Sequence, residues 1–295
     1  MHIHIHFVNV CNMRCSYCIN GNSVTPGIQE FMNKNVLDAA VNFVNRFTGA
    51  NVYVQGGEPT VYPHVVELVQ NLKCEKLYIV TNGLLDDKLF AIIDNCHAVR
   101  ELDVSVSVHH EYWNAHQPLY AAALLRDNAM LIKFAAAERV TSFNFKLLVD
   151  YHDMTTTADI AQWLFSNIDD AHVLVRHVRR TETTEEFMRT YLAARRNLPS
   201  CVCEALMADP SNDQLVHGNP FYGKQCKQFS NFAVIYHDGR VCSSFCPQAL
   251  TADQLITAPQ FVLRPCTVIC QQKVHGCFDN CMCCNLNKGV TASNG

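Results

Sequence analysis

No apolar run in the sequence approaches the length needed to span a bilayer, and the N-terminus has neither the basic region nor the apolar stretch of a secretory signal. A membrane role is therefore not expected, and a cytoplasmic location is. An excess of basic charge is lacking too. The formal net charge of −4 excludes a general polyanion-binding surface and leaves only a local basic patch open. With 17% charged against 49% hydrophobic residues, the chain is too apolar to stay disordered, so disorder is expected only in the closing GVTASNG. No internal repeat or low-complexity tract occurs. Cysteine is nearly missing from the middle: of 16, only Cys74 and Cys96 lie between Cys18 and Cys201. The others form two groups, three from Cys11 to Cys18 and eleven from Cys201 to Cys284. In a large chain without a secretion signal, clustered thiols point to metal rather than to disulfides.

Residues 2–200 alternate short β-rich runs with helix-like segments, the pattern of βα units around a parallel sheet. Six strands are expected, in HIHIHFVNV, NVYVQ, KLYIVT, LDVSVSV, FNFKLLV and HVLVRHV. In NKNVLDAAVNFVNRF, Val36, Ala39, Ala40, Phe43 and Phe47 recur at helical spacing and would form one buried face. The opening run alternates in the same spirit. Ile3, Ile5 and Phe7 share one strand face, and His2, His4 and His6 share the other, directed to the sheet interior or its bottom end rather than to a metal. After NLPS the texture changes to cysteine, glycine and short segments, with FAVIYHDGRVCS reading as a hairpin turning at Asp238-Gly239. The expected division is a core at 1–200 and a Cys-rich module at 201–295.

Cys11, Cys15 and Cys18 stand as CxxxCxxC in CNMRCSYC, directly after the first strand. Three thiolates on one short loop can face a common point, and a four-iron cluster that ordinarily takes four cysteines would keep one iron open. On residues alone, a zinc knuckle completed by a fourth ligand stays open. With its aromatic Tyr17 before the last cysteine, CNMRCSYC resembles the signature of the radical S-adenosylmethionine (radical SAM) superfamily. The resemblance implies a partial (β/α)6 TIM-like barrel and a [4Fe-4S] cluster on Cys11, Cys15 and Cys18. The open iron would chelate S-adenosylmethionine, whose reductive cleavage gives a 5′-deoxyadenosyl radical that abstracts hydrogen. It also implies an external electron donor, flavodoxin-like or ferredoxin-like.

Further features fall where the resemblance places them. QGGEP follows the second strand, and its Gly56, Gly57, Glu58 and Pro59 resemble the family's motif for the cosubstrate amino group, although such a stretch alone is an ordinary turn. Thr81 and Asn82 of TNG end the third strand, as cofactor contacts or as an Asn-Gly turn. In LDVSVSVHHEY, alternation puts Asp103, Ser105, Ser107 and His109 on one face. The resemblance implies that Ser107 meets the ribose hydroxyls. His109, His110 and Glu111 then stand at the mouth, as substrate contacts or solvated loop residues. Lys146 and Arg176 are charges inside apolar strands, which are expensive without a partner. They would meet a cosubstrate carboxylate, a substrate anion or a structural ion-pair partner. His109, Glu111, Lys146 and Arg176 are the catalytic candidates. All of these positions lie at or near strand C-terminal ends, where βα barrels place their sites.

Cys226 precedes the expected hairpin, Cys242 and Cys246 follow it, and Cys266, Cys270, Cys277, Cys281, Cys283 and Cys284 come later. This resembles the C-terminal extension called SPASM, or its shorter twitch form, and implies one or two auxiliary [4Fe-4S] clusters. The family pattern wants cysteine at 244, which is serine here, and the later CxxxCx6CxxxC is longer by one residue at its first two gaps. A structural zinc site is the alternative on residues alone, and either metal would add folding energy to a small module.

The expected substrate is an amino-acid-containing molecule, free or peptidyl, undergoing oxidation, epimerisation, isomerisation or cross-linking. The first strand begins at residue 2, so no leader-peptide recognition domain is expected before it, which weakens a peptide reading. RHVRRTETTEEFMRTYLAARR holds Arg176, Arg179, Arg180, Arg195 and Arg196, an ordinary ion-paired helix or a phosphate contact. The latter would fit a radical isomerase or modifying enzyme acting on a nucleotide or on an amino-acid-decorated base in viral DNA. A non-catalytic iron–sulfur or zinc protein is the third reading.

Overall fold

A computed structural model describes residues 1–8, 10–18, 30–178, 184–194, 196, 198–208, 232–242 and 255–258. Six strands, β1 (His2–His6), β2 (Asn51–Gln55), β3 (Cys74–Thr81), β4 (Val99–Val108), β5 (Ser142–Val149) and β6 (Val173–His177), coincide with the six β-rich runs. Between and after them come α1 (Lys34–Val44), α2 (Val65–Asn71), α3 (Asp86–Asn95), α4 (His110–Ala136), α5 (Met154–Asn167) and α6 (Thr184–Ala194), followed by α7 (Ser200–Ala208). A hairpin of β7 (Phe232–Tyr236) and β8 (Val241–Cys242) closes the series.

The sheet runs β6-β5-β4-β3-β2-β1-β7-β8 and is open. Its first seven members are parallel, so the partial barrel has one strand more than the six expected. β7 lies beside β1 with His2 opposite Phe232 and His6 opposite Tyr236, and only β8 runs antiparallel. The hairpin turn is where Asp238-Gly239 places it. Gly239 has φ +88° and donates its N–H to the Tyr236 carbonyl at 2.9 Å.

Period-two alternation sorts the strands' side chains into two layers. Ile3 and Ile5 of β1, Val52 and Val54 of β2, and Val104, Val106 and Val108 of β4 are sealed under the helices, at 0% exposure. That layer is the core that holds the strands in register, at roughly 25 cal/mol per Å² of apolar surface buried. Among the helices, α1 starts at Asn33, whose side chain accepts from the Val36 N–H at 3.0 Å. It buries Val36, Ala40 and Phe43 while Ala39 and Phe47 pack at its margin. α4 breaks at His116 (φ −141°), two residues before Pro118, whose ring excludes the carbonyl one turn back.

The opposite face of the strands is polar and aromatic. His4, Tyr53 and Tyr78 from three neighbouring strands form one stack, with centroids 4.4 and 4.2 Å apart. Gln55 joins His4 and His6 by hydrogen bonds of 2.6 and 2.9 Å. Burial first, then the neighbouring histidines, holds His4 far below the ordinary histidine range, so this ring is neutral. Below, Lys76 of β3 pairs with Asp103 at 2.8 Å and Glu101 at 3.2 Å, both on β4. Among the described residues no group of three or more His, Cys, Asp or Glu side chains is set to hold a single metal ion. None of the described helices is long and apolar enough to cross a membrane.

Candidate active site

β1 ends at His6, and the chain then runs through Val8 and Val10 into the loop of Cys11, Cys15 and Cys18. That stem is fixed from β2. The Gly57 N–H donates to the Val8 carbonyl at 2.9 Å and the Glu58 N–H to the Val10 carbonyl at 2.8 Å. The two glycines exist for this approach. A Cβ at Gly57 would stand 1.9 Å from the Val10 carbonyl oxygen, and one at Gly56, where φ is +143°, would stand 2.6 Å from that of Val8.

Glu58 turns inward and is 2% exposed. Its Oε1 accepts from the Thr60 N–H (3.1 Å), the Thr60 hydroxyl (2.7 Å) and the Thr81 hydroxyl (2.7 Å), while Oε2 accepts from the Asn82 N–H (2.7 Å). Burial pushes this carboxyl up against the pull of those four donors. Both oxygens thus tie the end of β2 to the end of β3, and Pro59 opens the short 3-10 turn that Glu58 caps. Asn82, positioned by that bond, reaches the cysteine loop. Its amide donates to Asn12 Oδ1 at 2.7 Å and lies 3.8 Å from Cys11 Sγ.

The junction of β4 and α4 grips the loop from the other side. Glu111 Oε1 accepts from the Ser16 N–H at 2.9 Å and the Ser16 hydroxyl at 2.7 Å. His109 Nδ1 lies 3.2 Å from Cys15 Sγ and 3.3 Å from the Tyr17 hydroxyl, which also accepts from the His110 N–H at 3.1 Å. Burial lowers His109 to about 4; Glu111 opposes this, and Lys146 and His110 add to it. The imidazole is neutral, with one ring N–H to give. Under α4, the Tyr120 hydroxyl bridges the carbonyls of Asn82 and Ser107 at 3.1 and 3.0 Å.

Of the sequence-predicted residues, the three loop cysteines, Tyr17, Gly56 to Pro59, Thr81, Asn82, Ser107, His109 and Glu111 meet around this one loop. His109 and Glu111 touch the loop itself rather than standing free at the mouth. Lys146 and Arg176 face the same side from β5 and β6. Cys242 lies on β8, while Cys226, Cys246, Cys266, Cys270, Cys277, Cys281, Cys283, Arg179, Arg180 and Arg195 lie outside the described residues.

Residues 5–125 match the family model described as Radical SAM superfamily. Over that stretch the chain is similar to the radical SAM superfamily. A 94-residue stretch is 32% identical to molybdenum cofactor biosynthesis protein 1 of Drosophila melanogaster, covering 30% of this chain and 16% of that protein. The chain thus corresponds to only a small part of that relative's length. Among solved structures, native anSMEcpe with bound AdoMet and Kp18Cys peptide superposes with a TM-score of 0.51 at 17% identity, over 87% of this chain and 77% of that one. SuiB of Streptococcus suis bound to precursor peptide SuiA gives 0.50 at 13% identity, over 87% and 62%. At these identities the likeness is one of fold.

That similarity implies a [4Fe-4S] cluster and S-adenosylmethionine, and the loop fits a cluster. Its three thiols are close enough to repel one another's ionisation. Cys11 Sγ already accepts from the Met13 N–H at 3.3 Å. Each cysteine of a four-iron cluster binds a different iron, so the three sulfurs need not converge on one ion. Burial lifts the Cys11 thiol to about 11 and Cys15 higher still, so neither is a thiolate near neutrality until metal displaces the proton.

Sequence reasoning missed Asn12, Ser16, Tyr120 and Asp127. The first two lie inside the recognised loop but carry no special spacing. Tyr120 and Asp127 sit on α4, where only their complete burial sets them apart.

Proposed function

We propose that the chain is a radical SAM enzyme that cleaves S-adenosylmethionine reductively and takes hydrogen from a carbon of an amino-acid-containing substrate. The observation that carries this is the CNMRCSYC loop, clamped at its stem by the Gly57 and Glu58 N–H groups and at its rim by His109 and Glu111. When bound, the cluster supplies the electron that breaks the sulfonium bond. The protein's own part is positional. Glu58 fixes Thr81 and Asn82 against the loop, the glycines let the β2 turn lie on Val8 and Val10, and Tyr17 with His109 closes the cysteine loop over β4. Ser107, 7% exposed at the end of β4, is assigned to a ribose hydroxyl of the cosubstrate.

The peptides bound to anSMEcpe and SuiB support an amino-acid or peptidyl substrate. The same proposal assigns one or two auxiliary [4Fe-4S] clusters to the cysteines from Cys226 onward, in a module spanning 201–295, and a flavodoxin-like or ferredoxin-like electron donor. The test is anaerobic reconstitution followed by dithionite and S-adenosylmethionine, with 5′-deoxyadenosine as product. A triple Cys11, Cys15 and Cys18→Ala variant should lose that product while keeping whatever iron the later cysteines hold. Intact clusters with no 5′-deoxyadenosine from the unaltered protein would refute the enzyme reading.

A further inference from the structure

The polar face of the sheet carries two lysines in opposite circumstances. Lys76, low on β3, is held by Asp103 and Glu101. Among the described residues, Lys146, in the middle of β5, makes no hydrogen bond or ion pair. Across the sheet it stands opposite Ser107 on β4 and Leu174 on β6. Leu148 follows it on the same face and is opposite Arg176, so the two cations are diagonal neighbours, roughly 7–8 Å apart at the Cα level. Asn144, one step below, is occupied by the Ser105 hydroxyl at 2.7 Å. On the sheet, the described neighbours of the half-buried Lys146 are thus Ser107, Leu148, Leu174 and Arg176, with His109 close enough to feel its charge.

Such an arrangement is unfavourable as it stands. Burial, and then Arg176, brings Lys146 down to about 8. An ammonium without a carboxylate beside another cation gains most from an incoming anion, because the anion relieves both desolvation and repulsion. Lysine is a compact point charge suited to an oxyanion. The cysteine loop, Gly56 to Pro59 and Thr81 to Asn82 approach from β1, β2 and β3. Lys146 approaches from β5, opposite Ser107 and close enough to His109 to act on its charge.

We infer that Lys146, with Arg176 beside it, is an oxyanion subsite for the substrate: a carboxylate or phosphate sits on the ammonium, and the carbon chain bearing it lies against Leu148 and Leu174. This rests on the reading of the site as a radical SAM active site. It narrows the substrate class to molecules ending in such a group, such as an acidic amino acid, a free peptide C-terminus or a phosphorylated carrier.

The test uses full-length, anaerobically reconstituted protein. Binding of glutarate, inorganic phosphate and S-adenosylmethionine is measured for the unaltered chain and for Lys146→Met, Lys146→Gln and Lys146→Arg. Glutarate or phosphate is expected to bind, with glutarate alone indicating a carboxylate and phosphate alone a phosphoryl group. Loss of a charge-assisted hydrogen bond should weaken that probe roughly tenfold or more in Lys146→Met and Lys146→Gln, with Lys146→Arg largely retaining it. S-Adenosylmethionine affinity should hold in all three. If Lys146→Met does not fold, Lys146→Gln decides. Failure of both probes to bind, or equal binding in Lys146→Gln, overturns the inference. So does a matching loss of S-adenosylmethionine affinity, which would assign Lys146 to the cosubstrate carboxylate. None of these results alters 5′-deoxyadenosine formation by the unaltered protein, so the parent reading fails or stands separately.

Discussion

Asp127→Asn should flatten the pH dependence of stability. Asp127 lies inside α4 at 0% exposure, and neither carboxyl oxygen has a hydrogen-bond partner. It packs behind the end of β3, where a Cβ on Gly83 would come within 2.7 Å of its Oδ2. Burial, and then the charge of Asp86, raises it to about 8, against the weaker opposing pull of Arg126. The folded pKa thus exceeds the unfolded value near 4. Between the two, the folded chain keeps a proton that the unfolded chain releases, so stability falls as pH rises across that window. The slope is about 1.4 kcal/mol per pH unit, or roughly 5 kcal/mol over the full span, as a ceiling reached only if no water follows the charge inward. Asparagine keeps the shape and cannot ionise. Thermal midpoints of the reconstituted variant and parent, measured side by side from pH 5 to pH 8.5, cancel every other titration. Their difference should move in favour of Asp127→Asn with rising pH, by about 2 °C per kcal/mol. Parallel profiles would refute the reasoning.

Gly57→Ala should displace the carbonyl of Val10, whose oxygen is only 1.9 Å from the new Cβ, and with it the adjoining Cys11. Iron retained at the loop cluster after reconstitution should fall sharply, whereas Gly49→Ala, strained by its own φ of +77° but with nothing near its Cβ, should leave iron content unchanged. His109→Phe removes the ring nitrogen that lies 3.2 Å from Cys15 Sγ and can donate to it once the thiol proton is gone. Because hydrogen bonds to cluster sulfurs set the potential, the midpoint read by a potentiometric titration should become more negative; an unchanged midpoint would show that the contact is lost once the cluster is bound. Tyr120→Phe removes the hydroxyl shared by the Asn82 and Ser107 carbonyls and should cost about 1–3 kcal/mol, seen as a lower thermal midpoint.

The βα core was legible because its strands carry their faces in the sequence: Ile3 and Ile5, or Val104, Val106 and Val108, alternate with polar residues at the period of a strand. The loop cysteines and Gly56 to Pro59 were legible as spacing. What was not legible is long-range pairing. FAVIY reads as half of a hairpin, which it is, yet nothing local shows that its free edge joins β1 from the far end of the chain. The contacts of Glu111 with Ser16 and of His109 with Cys15 likewise span more than ninety residues. Glu58 is legible through its motif, but nothing local shows that its oxygens also meet Thr81 and Asn82 at the end of β3.

The place of β1 between β2 and β7 sets an order of events during synthesis. The cysteine loop leaves the ribosome soon after β1, but the second neighbour of its stem strand is made more than two hundred residues later. Until then β1 is an unpaired edge, and the loop above it is braced on one flank only. Metal delivered to the nascent chain meets a hinge, and metal delivered after release meets a socket. The moment of delivery therefore decides how much of the sheet the cluster helps to assemble.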